Sequence, residues 1–292
     1  MKRGILSVVM ILLVCSWAAA ESSVWKVQKG ASVMYLGATF HILREKDFPL
    51  PPEFDRAYQA SEIVVLETDI GRLQDTATQE KLLAQAMYTD GSTIEEHLSA
   101  GAYGRLSAYC AANGIPLEAL RQLKPSMLMV TLTAMELMKL GVTQQGVDSF
   151  FYRKAGSDRK TVEGLETVEE QISYLVSMAD GYEDDFVMYS IDDMKTIRQQ
   201  FEILVNAWRT GDAEKINALM VADVRTKLPK LYRRLITERN ARWLPRIEAY
   251  MKTPQTEFVL VGAGHLVGPE GILAVLRKNG FRIDKLAATG TR

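Results

Sequence analysis

Strand-forming sequence lies near the two ends of this chain, and a long, mainly helical stretch separates them. Apolar, β-branched runs occupy residues 24–28, 32–40 and 63–66, and the further run TEFVLVGAGHLVG comes late in the chain. Residues 75–251 instead repeat apolar positions at helical spacing. Short strands that are distant in sequence bury their apolar faces by joining one sheet. We therefore predict an α+β (mixed α/β) fold, with a central sheet from the N- and C-terminal strands and a large helical insert at 75–251.

Turn and capping residues predict where individual elements begin and end. The tetrapeptide KGAS between the first two runs favours a hairpin. Proline-initiated helices are predicted in PLPPEFDRAYQAS and in PEGILAVLRKNGFRIDKL, where the helix opens at Pro269 and a closing strand follows. The segment DDFVMYSIDDMKTIRQQFEILVNAWRTGD predicts a long amphipathic helix that stops at Gly211, and TKLPKLYRRLITERNARWLPRIEAYM predicts the last long helix.

Residues 1–20 have the features of a secretory signal peptide: a basic start, an apolar run and a small-residue end. The apolar run has about ten residues, whereas a spanning helix needs roughly 20, which argues against the alternative of an uncleaved anchor. We expect cleavage after Ala20, a periplasmic or secreted mature domain at 21–292, and no integral membrane segment after cleavage. Only Cys110 then remains, so we expect neither an intramolecular disulfide nor a cysteine-based metal site.

The chain is nearly neutral, with a formal net charge of −1 at pH 7. This balance gives no reason to expect nucleic acid or an anionic membrane as a partner. We instead expect a peptide or small-molecule substrate, and the sequence specifies no oligomeric state.

Two of the three histidines follow predicted buried strands through small-residue turns. His41 ends LGATFH and His265 ends VGAGH, while Glu67 follows the strand at 63–66. Sites in open α/β sheets gather beyond the carboxyl ends of the strands, so these side chains converge if the three strands are parallel neighbours. Two histidines and a carboxylate form a ligand set for Zn, Mn, Fe or Co. The alternative is that each histidine only hydrogen-bonds a loop. We expect His97, in the polar segment IEEHLS, to lie on the surface.

Two further segments carry candidate catalytic residues. Glu166 in GLETVEEQ directly precedes a predicted helix, whereas Glu170 has the spacing of a capping-box residue and is expected to cap that helix. In TERNARW, Asn240 falls on an apolar helical stripe and needs buried partners, and Glu238 and Arg239 lie on adjoining faces. An arginine there could bind a carboxylate through two hydrogen bonds. The alternative is a solvated charged surface. We expect Asp148, Asp69 and Lys124 to be helix caps or turn residues.

Taken together, these segments resemble the TraB/PrgY/GumN family, which includes the animal Tiki proteins. The similarity runs through seven ordered segments: YLGATFHIL, VVLETD, LKPSM, GVDSFF, GLETVEEQ, ERNARW and VLVGAGHLVGPEGI. The family is marked by two Gly-x-x-His motifs and an acidic residue. The second motif matches fully at Gly262–His265, whereas the first has Ala38 in place of its glycine and keeps His41. Glu67 matches the acidic position, and the other polar motif positions fall on Glu166, Glu238, Arg239 and Asn240.

The resemblance implies a fold similar to that of erythromycin esterases and a haem-binding lipoprotein group, and for Tiki members a metal-dependent protease activity. Our leading hypothesis is an exported metal-dependent hydrolase, specifically a peptidase. His41, His265 and Glu67 would hold a divalent metal (Mn, Co, Zn or Fe), and Glu67, Glu166, Glu238, Arg239 and Asn240 would supply the catalytic groups. Two alternatives stay open: a non-catalytic binder of a peptide or haem-like ligand, and a metal-free hydrolase with His41 as general base. The sequence has no Gly-x-Ser-x-Gly motif, which disfavours a serine nucleophile.

Overall fold

A computed structural model describes residues 21–287, in which six strands form one mixed sheet. The strands are β1 (Glu21–Lys29), β2 (Ser32–Thr39), β3 (Ile63–Leu66), β4 (Thr161–Gly164), β5 (Glu257–Gly262) and β6 (Arg282–Ala287). Their spatial order is β4-β3-β5-β2-β1-β6. Strands from both ends of the chain therefore share the sheet, as predicted. The predicted signal peptide at 1–20 lies outside the described residues.

The centre of the sheet is parallel. β2 pairs in parallel with β5, β5 with β3, and β3 with β4. Only β1 runs the other way, since it forms the predicted hairpin with β2 and pairs in antiparallel fashion with β6. The carboxyl ends of β2, β3, β4 and β5 consequently meet along one edge of the sheet, which is the edge where ligands bind in open α/β folds.

Helices supply most of the remaining chain. They are α1 (Pro52–Gln59), α2 (Ile70–Leu73), α3 (Thr76–Ala86), α4 (Ala100–Ala112), α5 (Pro125–Lys139), α6 (Val147–Asp158), α7 (Val168–Ser177), α8 (Glu183–Arg209), α9 (Ala213–Asn217), α10 (Asp223–Lys227), α11 (Pro229–Tyr232), α12 (Glu238–Tyr250), α13 (Ala263–Leu266) and α14 (Ile272–Lys278). Short 3₁₀ turns occupy Glu45–Asp47, Ile94–His97 and Leu117–Leu120, and π-helical turns occupy Ala218–Ala222 and Arg233–Thr237. None of the helices within 21–287 combines the length and apolarity that crossing a bilayer requires.

The long helix α8 contributes to two hydrophobic cores. Its second half, with Phe201 and Trp208, packs into the sheet core formed around the strands. Its first half, with Phe186, joins Leu106 of α4 and Leu128 of α5 in a separate helical core. Burying each such side chain stabilises the fold by about 1.5–3 kcal/mol. One helix thus packs against both the sheet and the earlier helices α4 and α5.

The stretch predicted as mainly helical is mainly helical, and it also contains the short strand β4. Two local predictions were wrong. The last long helix is interrupted at Leu228, whose backbone (φ −130°, ψ 65°) leaves the helical region because Pro229 follows it. The closing helix begins at Ile272, with Gly271 as its N-cap, rather than at Pro269.

Gly37 is the residue that lets the backbone of β2 lie close to side chains of β5, and the next residue, Ala38, has no part in this contact. A Cβ on Gly37 would lie 2.7 Å from Leu260 Cδ2 and 2.9 Å from Phe258 Cε2 of β5. Ala38 is fully buried, and its carbonyl accepts a hydrogen bond from Trp208 Nε1 at 2.8 Å. The alanine that departs from the family motif therefore fits its position.

Candidate active site

Each of the four parallel strands delivers one titratable side chain to the same edge of the sheet. His41 follows β2 by two residues, Glu67 follows β3 directly, Glu166 follows β4 by two residues, and His265 follows β5 within α13. Because these strands are neighbours, residues that are far apart in sequence come together beyond their ends. The predicted convergence of two histidines and a carboxylate requires this parallel arrangement.

Gly262 lies at the point where three of these side chains meet. Its backbone N–H donates a hydrogen bond to Glu67 Oε1 at 2.7 Å. A Cβ on this glycine would lie 3.1 Å from Glu67 Oε1, 3.5 Å from His265 Cδ2 and 3.7 Å from His41 Nε2. The three side chains therefore surround one small space, and a larger residue than glycine would fill it.

The guanidinium of Arg239, from α12, binds both glutamates. Arg239 Nη2 donates to Glu67 Oε2 and to Glu166 Oε1, each at 2.6 Å, and Nε donates to Glu166 Oε2 at 3.1 Å. Nη1 donates to His265 Nε2 at 3.1 Å. The contact with Glu166 is the two-point carboxylate contact that the sequence suggested for this arginine. All four side chains are buried, so these charges attract each other more strongly than they would in water.

Asn240 fixes the orientation and the protonation of His265. Its amide nitrogen donates to the carbonyl oxygens of His265 and Glu270 at 3.1 and 3.2 Å, so its oxygen accepts from His265 Nδ1 at 2.8 Å. Nδ1 therefore carries the proton, and Nε2 presents a lone pair to Arg239. Burial, together with the charges of Arg239 and His41, lowers the pKa of His265 to about 3. His265 is thus a neutral imidazole.

The pKa values of the two glutamates shift in opposite directions. Burial alone would raise the pKa of Glu67, but the charges of Arg239 and His41 and the hydrogen bond from the Gly262 N–H outweigh it and lower this pKa well below its usual range. Burial raises the pKa of Glu166, and the nearby Glu67 charge adds to that effect against the stabilising contacts of Arg239. Carboxyl pairs whose pKa values differ in this way divide acid and base roles in hydrolytic centres.

His41 is paired with Asp148 across 107 residues of sequence. His41 Nδ1 lies 2.8 Å from Asp148 Oδ2, and the attraction of this carboxylate raises the pKa of His41 to about 9. Gly146 allows the contact, because a Cβ there would lie 2.2 Å from the backbone carbonyl of His41. The Val147 N–H also donates to the carbonyl of Phe40 at 2.9 Å and ties α6 to the end of β2. His41 is therefore an imidazolium near neutral pH, with half of its side chain exposed.

Asp148 was expected to be a cap or turn residue, and its pairing with His41 was missed. The only sequence signal was the motif GVDSFF, because spacing cannot reveal a partner so distant in the chain. Trp243 was missed too: its Nε1 donates to Glu166 Oε2 at 3.1 Å, and its ring stacks on Arg239. Trp243 lies on the buried face of α12 with Asn240, and helical periodicity alone gives no sign of these contacts.

The other candidates occupy peripheral positions. Glu238 is exposed on α12 and does not join the cluster that its neighbour Arg239 organises. His97 is exposed and stacks on Tyr88. Asp69 caps α2 by accepting from the Arg72 N–H, and Glu170 forms the predicted capping box with Thr167.

A pocket of about 400 Å³ opens beside the cluster. His41, Glu67, Asp148 and Arg239 form part of its wall. Its size falls in the range of small-molecule and short-peptide sites. A bound molecule would therefore contact the charged groups directly.

The side chains fit a divalent metal in kind but not in their present arrangement. Two imidazoles and one carboxylate around Gly262 are the donor types that Zn, Mn, Fe and Co prefer. Arg239, however, already binds the lone pairs of His265 Nε2 and Glu67 Oε2. Within 21–287, no group of three or more histidine, cysteine, aspartate and glutamate side chains stands in metal-ligand geometry.

The fold and the site together define an α/β protein with a buried, charge-paired polar centre beyond the carboxyl ends of four parallel strands. Comparison with known sequences identifies the family: the chain belongs to the TraB/PrgY/gumN family, whose sequence profile matches residues 23–285. This confirms the resemblance carried by the seven segments.

A curated relative from Amphimedon queenslandica is named a metalloprotease TIKI homolog. It is 24% identical to this chain over 343 aligned residues, which cover 95% of this chain and 64% of the relative. The chain thus spans just under two thirds of that relative's length. No solved structure matches the chain.

Proposed function

We propose that this protein is an exported, metal-dependent hydrolase that cleaves peptide bonds. The observation that carries the proposal is the convergence of His41, Glu67 and His265 around Gly262, beside a pocket and next to a buried arginine. The family, and the name of the relative from Amphimedon queenslandica, support a hydrolytic activity. Export rests on the signal-peptide features of residues 1–20.

In this proposal His41, His265 and Glu67 would hold a divalent cation. Such a cation supplies a Lewis acid and an acidified water molecule. His265 suits this role because Asn240 already holds the proton on Nδ1, which leaves Nε2 as the donor atom. Arg239 has to release His265 and Glu67, and His41 has to lose its proton, so binding should release protons and weaken at low pH.

The remaining side chains have separate roles. Glu166, whose pKa is raised, would take a proton from the water molecule that attacks the carbonyl carbon and pass it to the amine that leaves as the C–N bond breaks. Arg239, once released from Glu67, donates N–H groups to the oxygen of the reacting carbonyl. Asn240 is a positioning residue, because all of its hydrogen-bonding groups face His265 and two backbone carbonyls. Glu238 has no role in this scheme.

Metal analysis and peptide cleavage test the proposal together. Purified protein should contain or take up one divalent metal, cleave members of a peptide library, and lose cleavage on chelation. His265→Ala should abolish cleavage and metal uptake, while the exposed His97→Ala serves as a matched control that keeps both. Full activity of His265→Ala would show that His265 is not part of the active site. Full activity after verified metal removal would show that the reaction does not require a metal.

One observation favours a second candidate, a metal-free hydrolase. The guanidinium of Arg239 already supplies positive charge to Glu67, Glu166 and His265. In that case His41 would be protonated near neutral pH, because Asp148 raises its pKa to about 9. It would then donate a proton rather than act as the general base that the sequence suggested. Activity that is indifferent to chelators but lost in Asp148→Asn would identify this mechanism.

A further inference from the structure

The charges that line the pocket are paired with each other, and Asp148 Oδ1 is the one carboxylate oxygen of Asp148 without a hydrogen-bond partner among the described residues. His41 pairs with Asp148, and Arg239 pairs with Glu67. The other described residues of the lining are uncharged. A charged substrate side chain would therefore lose its hydration here without gaining a free counter-charge, and that loss is costly.

Aliphatic side chains form much of the wall. These are Leu66, Ile70, Leu73, Leu175, Leu235 and Leu260. They come from the end of β3, from α2 and α7, from the π-helical turn before α12, and from β5. Elements that are distant in sequence thus build one apolar surface, which gains free energy only when an apolar group covers it.

Amide side chains surround this apolar surface. Gln74, Gln79 and Gln144 are exposed residues of the pocket lining, and Gln171 lies deeper, with its Nε2 3.4 Å from Glu166 Oε1. An amide both donates and accepts hydrogen bonds, as the peptide backbone does. These groups suit an extended peptide better than an anionic or cationic small molecule.

Two buried hydroxyls in the lining have hydrogen-bonding capacity to spare. Thr39 Oγ1 and Thr68 Oγ1 belong to residues that are 3% exposed, and neither has a partner within the described part of the chain. Buried hydroxyls are nearly always hydrogen-bonded, and those that are not commonly belong to functional sites. Both threonines belong to the pocket lining, Thr39 as the last residue of β2 and Thr68 two residues after β3, and both hydroxyl oxygens are shielded from solvent.

We infer that the pocket selects an uncharged peptide segment carrying a large aliphatic side chain next to the bond that is cleaved. The aliphatic wall receives the side chain, and the glutamine amides bind the backbone on either side. The inference rests on the proposed function for the cleavage step, whereas the binding preference stands without it.

A series of peptides of one length and sequence, varied at a single position, tests the preference. Leucine, alanine, glutamate and lysine are compared at that position, with binding followed by fluorescence anisotropy on the full mature chain and cleavage followed separately. The leucine peptide should bind about tenfold or more tightly than the alanine peptide, because it buries several additional apolar carbons. The glutamate and lysine peptides should bind more weakly still.

A variant in the wall connects the preference to this pocket. Leu175 is half-buried on α7, so Leu175→Lys places a charge in the aliphatic wall, and Leu235→Lys does so from a second element. Each should weaken leucine-peptide binding about tenfold and reduce or reverse the discrimination against glutamate. Leu83→Lys is the matched control, because Leu83 is 58% exposed and lies outside this pocket. Thermal melting confirms that the variants fold.

Equal binding of the four peptides, or wall variants that behave like Leu83→Lys, would overturn the inference. Preferential binding of the leucine peptide without cleavage of any peptide would support the inference and overturn the hydrolase proposal instead. Cleavage with no preference at this position would support the hydrolase proposal and overturn the inference.

Discussion

Arg239 holds the buried charges of the centre together. Its guanidinium contacts Glu67, Glu166 and His265 and lies over the ring of Trp243. Without it, two buried carboxylates would repel each other and lack their main donor. The same residue therefore decides both how stable the site is and how the pKa values of the glutamates are distributed.

We predict that Arg239→Met lowers the free energy of unfolding by about 3 kcal/mol or more, because it leaves the buried carboxylates of Glu67 and Glu166 without their cationic partner. Chemical denaturation at pH 7 measures this. Arg242→Met is the matched control: Arg242 is exposed on the same helix, and its loss should cost less than about 1 kcal/mol. Equal effects of the two substitutions would show that the buried network contributes little to stability.

At this scale, residue chemistry made much of the cluster predictable. A polar Asn240 on an apolar stripe needed buried partners, and histidines after small-residue turns needed a reason to be there. Glu238 and Arg239 are adjacent on a helix and so point in different directions, and which of them faces the sheet depends on packing. Asp148 could not be assigned, because its partner is brought near by the hydrogen bonds between α6 and the segment after β2.

Among the elements, α6 controls the charge on His41. The helix begins against the backbone of His41, where only a glycine fits, and its second residue is Asp148. Any displacement of this helix start would separate the carboxylate from the imidazole.

We predict that Gly146→Ala destabilises the fold by about 1–3 kcal/mol, because its Cβ overlaps the His41 carbonyl and the helix start must move. The pKa of His41, followed by NMR, should fall from about 9 towards its ordinary value of 6.5. Gly156→Ala in the same helix is the control, since its Cβ meets no described atom within 4 Å and alanine should stabilise the helix by about 0.5–1 kcal/mol. A His41 pKa that is unchanged in Gly146→Ala would contradict this account.

The element that the sequence concealed is β4. It has four residues, pairs with β3 alone at the border of the sheet, and is mostly half-buried. A strand that short gives no periodic signal, and its place is fixed by pairing with a strand nearly 100 residues earlier. The strands at 32–39, 63–66 and 257–262 were predictable because they are buried and strongly apolar. Without β4, Glu166 could be proposed as a candidate but not located.

For the whole molecule, the shifted pKa values define a pH range of stability. Unfolded His265 takes up a proton below its ordinary pKa of 6.5, whereas folded His265 stays neutral down to about 3. The free energy of unfolding therefore falls as the pH drops below 6.5. Glu67, whose pKa is lowered in the folded state, adds to this fall below pH 4.5, whereas Glu166, whose pKa is raised, acts in the opposite direction. His41 contributes stability that is complete below 6.5 and is lost as the pH rises through about 9.

We therefore predict that the free energy of unfolding is highest near pH 6.5 and falls on both sides. Urea denaturation between pH 4 and pH 10 measures the profile. His265→Gln should flatten the acid side between pH 6.5 and pH 4.5, and Asp148→Asn should flatten the alkaline side. A profile that rises towards pH 4, or an acid side unaffected by His265→Gln, would contradict the assigned protonation states.

The order in which the strands are made has a consequence for biosynthesis. The centre takes its groups from β2, β3, β4 and β5, and β5 is inserted between β3 and β2, which are made long before it. During synthesis, His41, Glu67 and Glu166 therefore exist without His265 and without the Gly262 N–H that orders Glu67. The nascent chain has no finished centre until β5 enters the gap, so any activity of this site begins only after nearly the whole domain has folded.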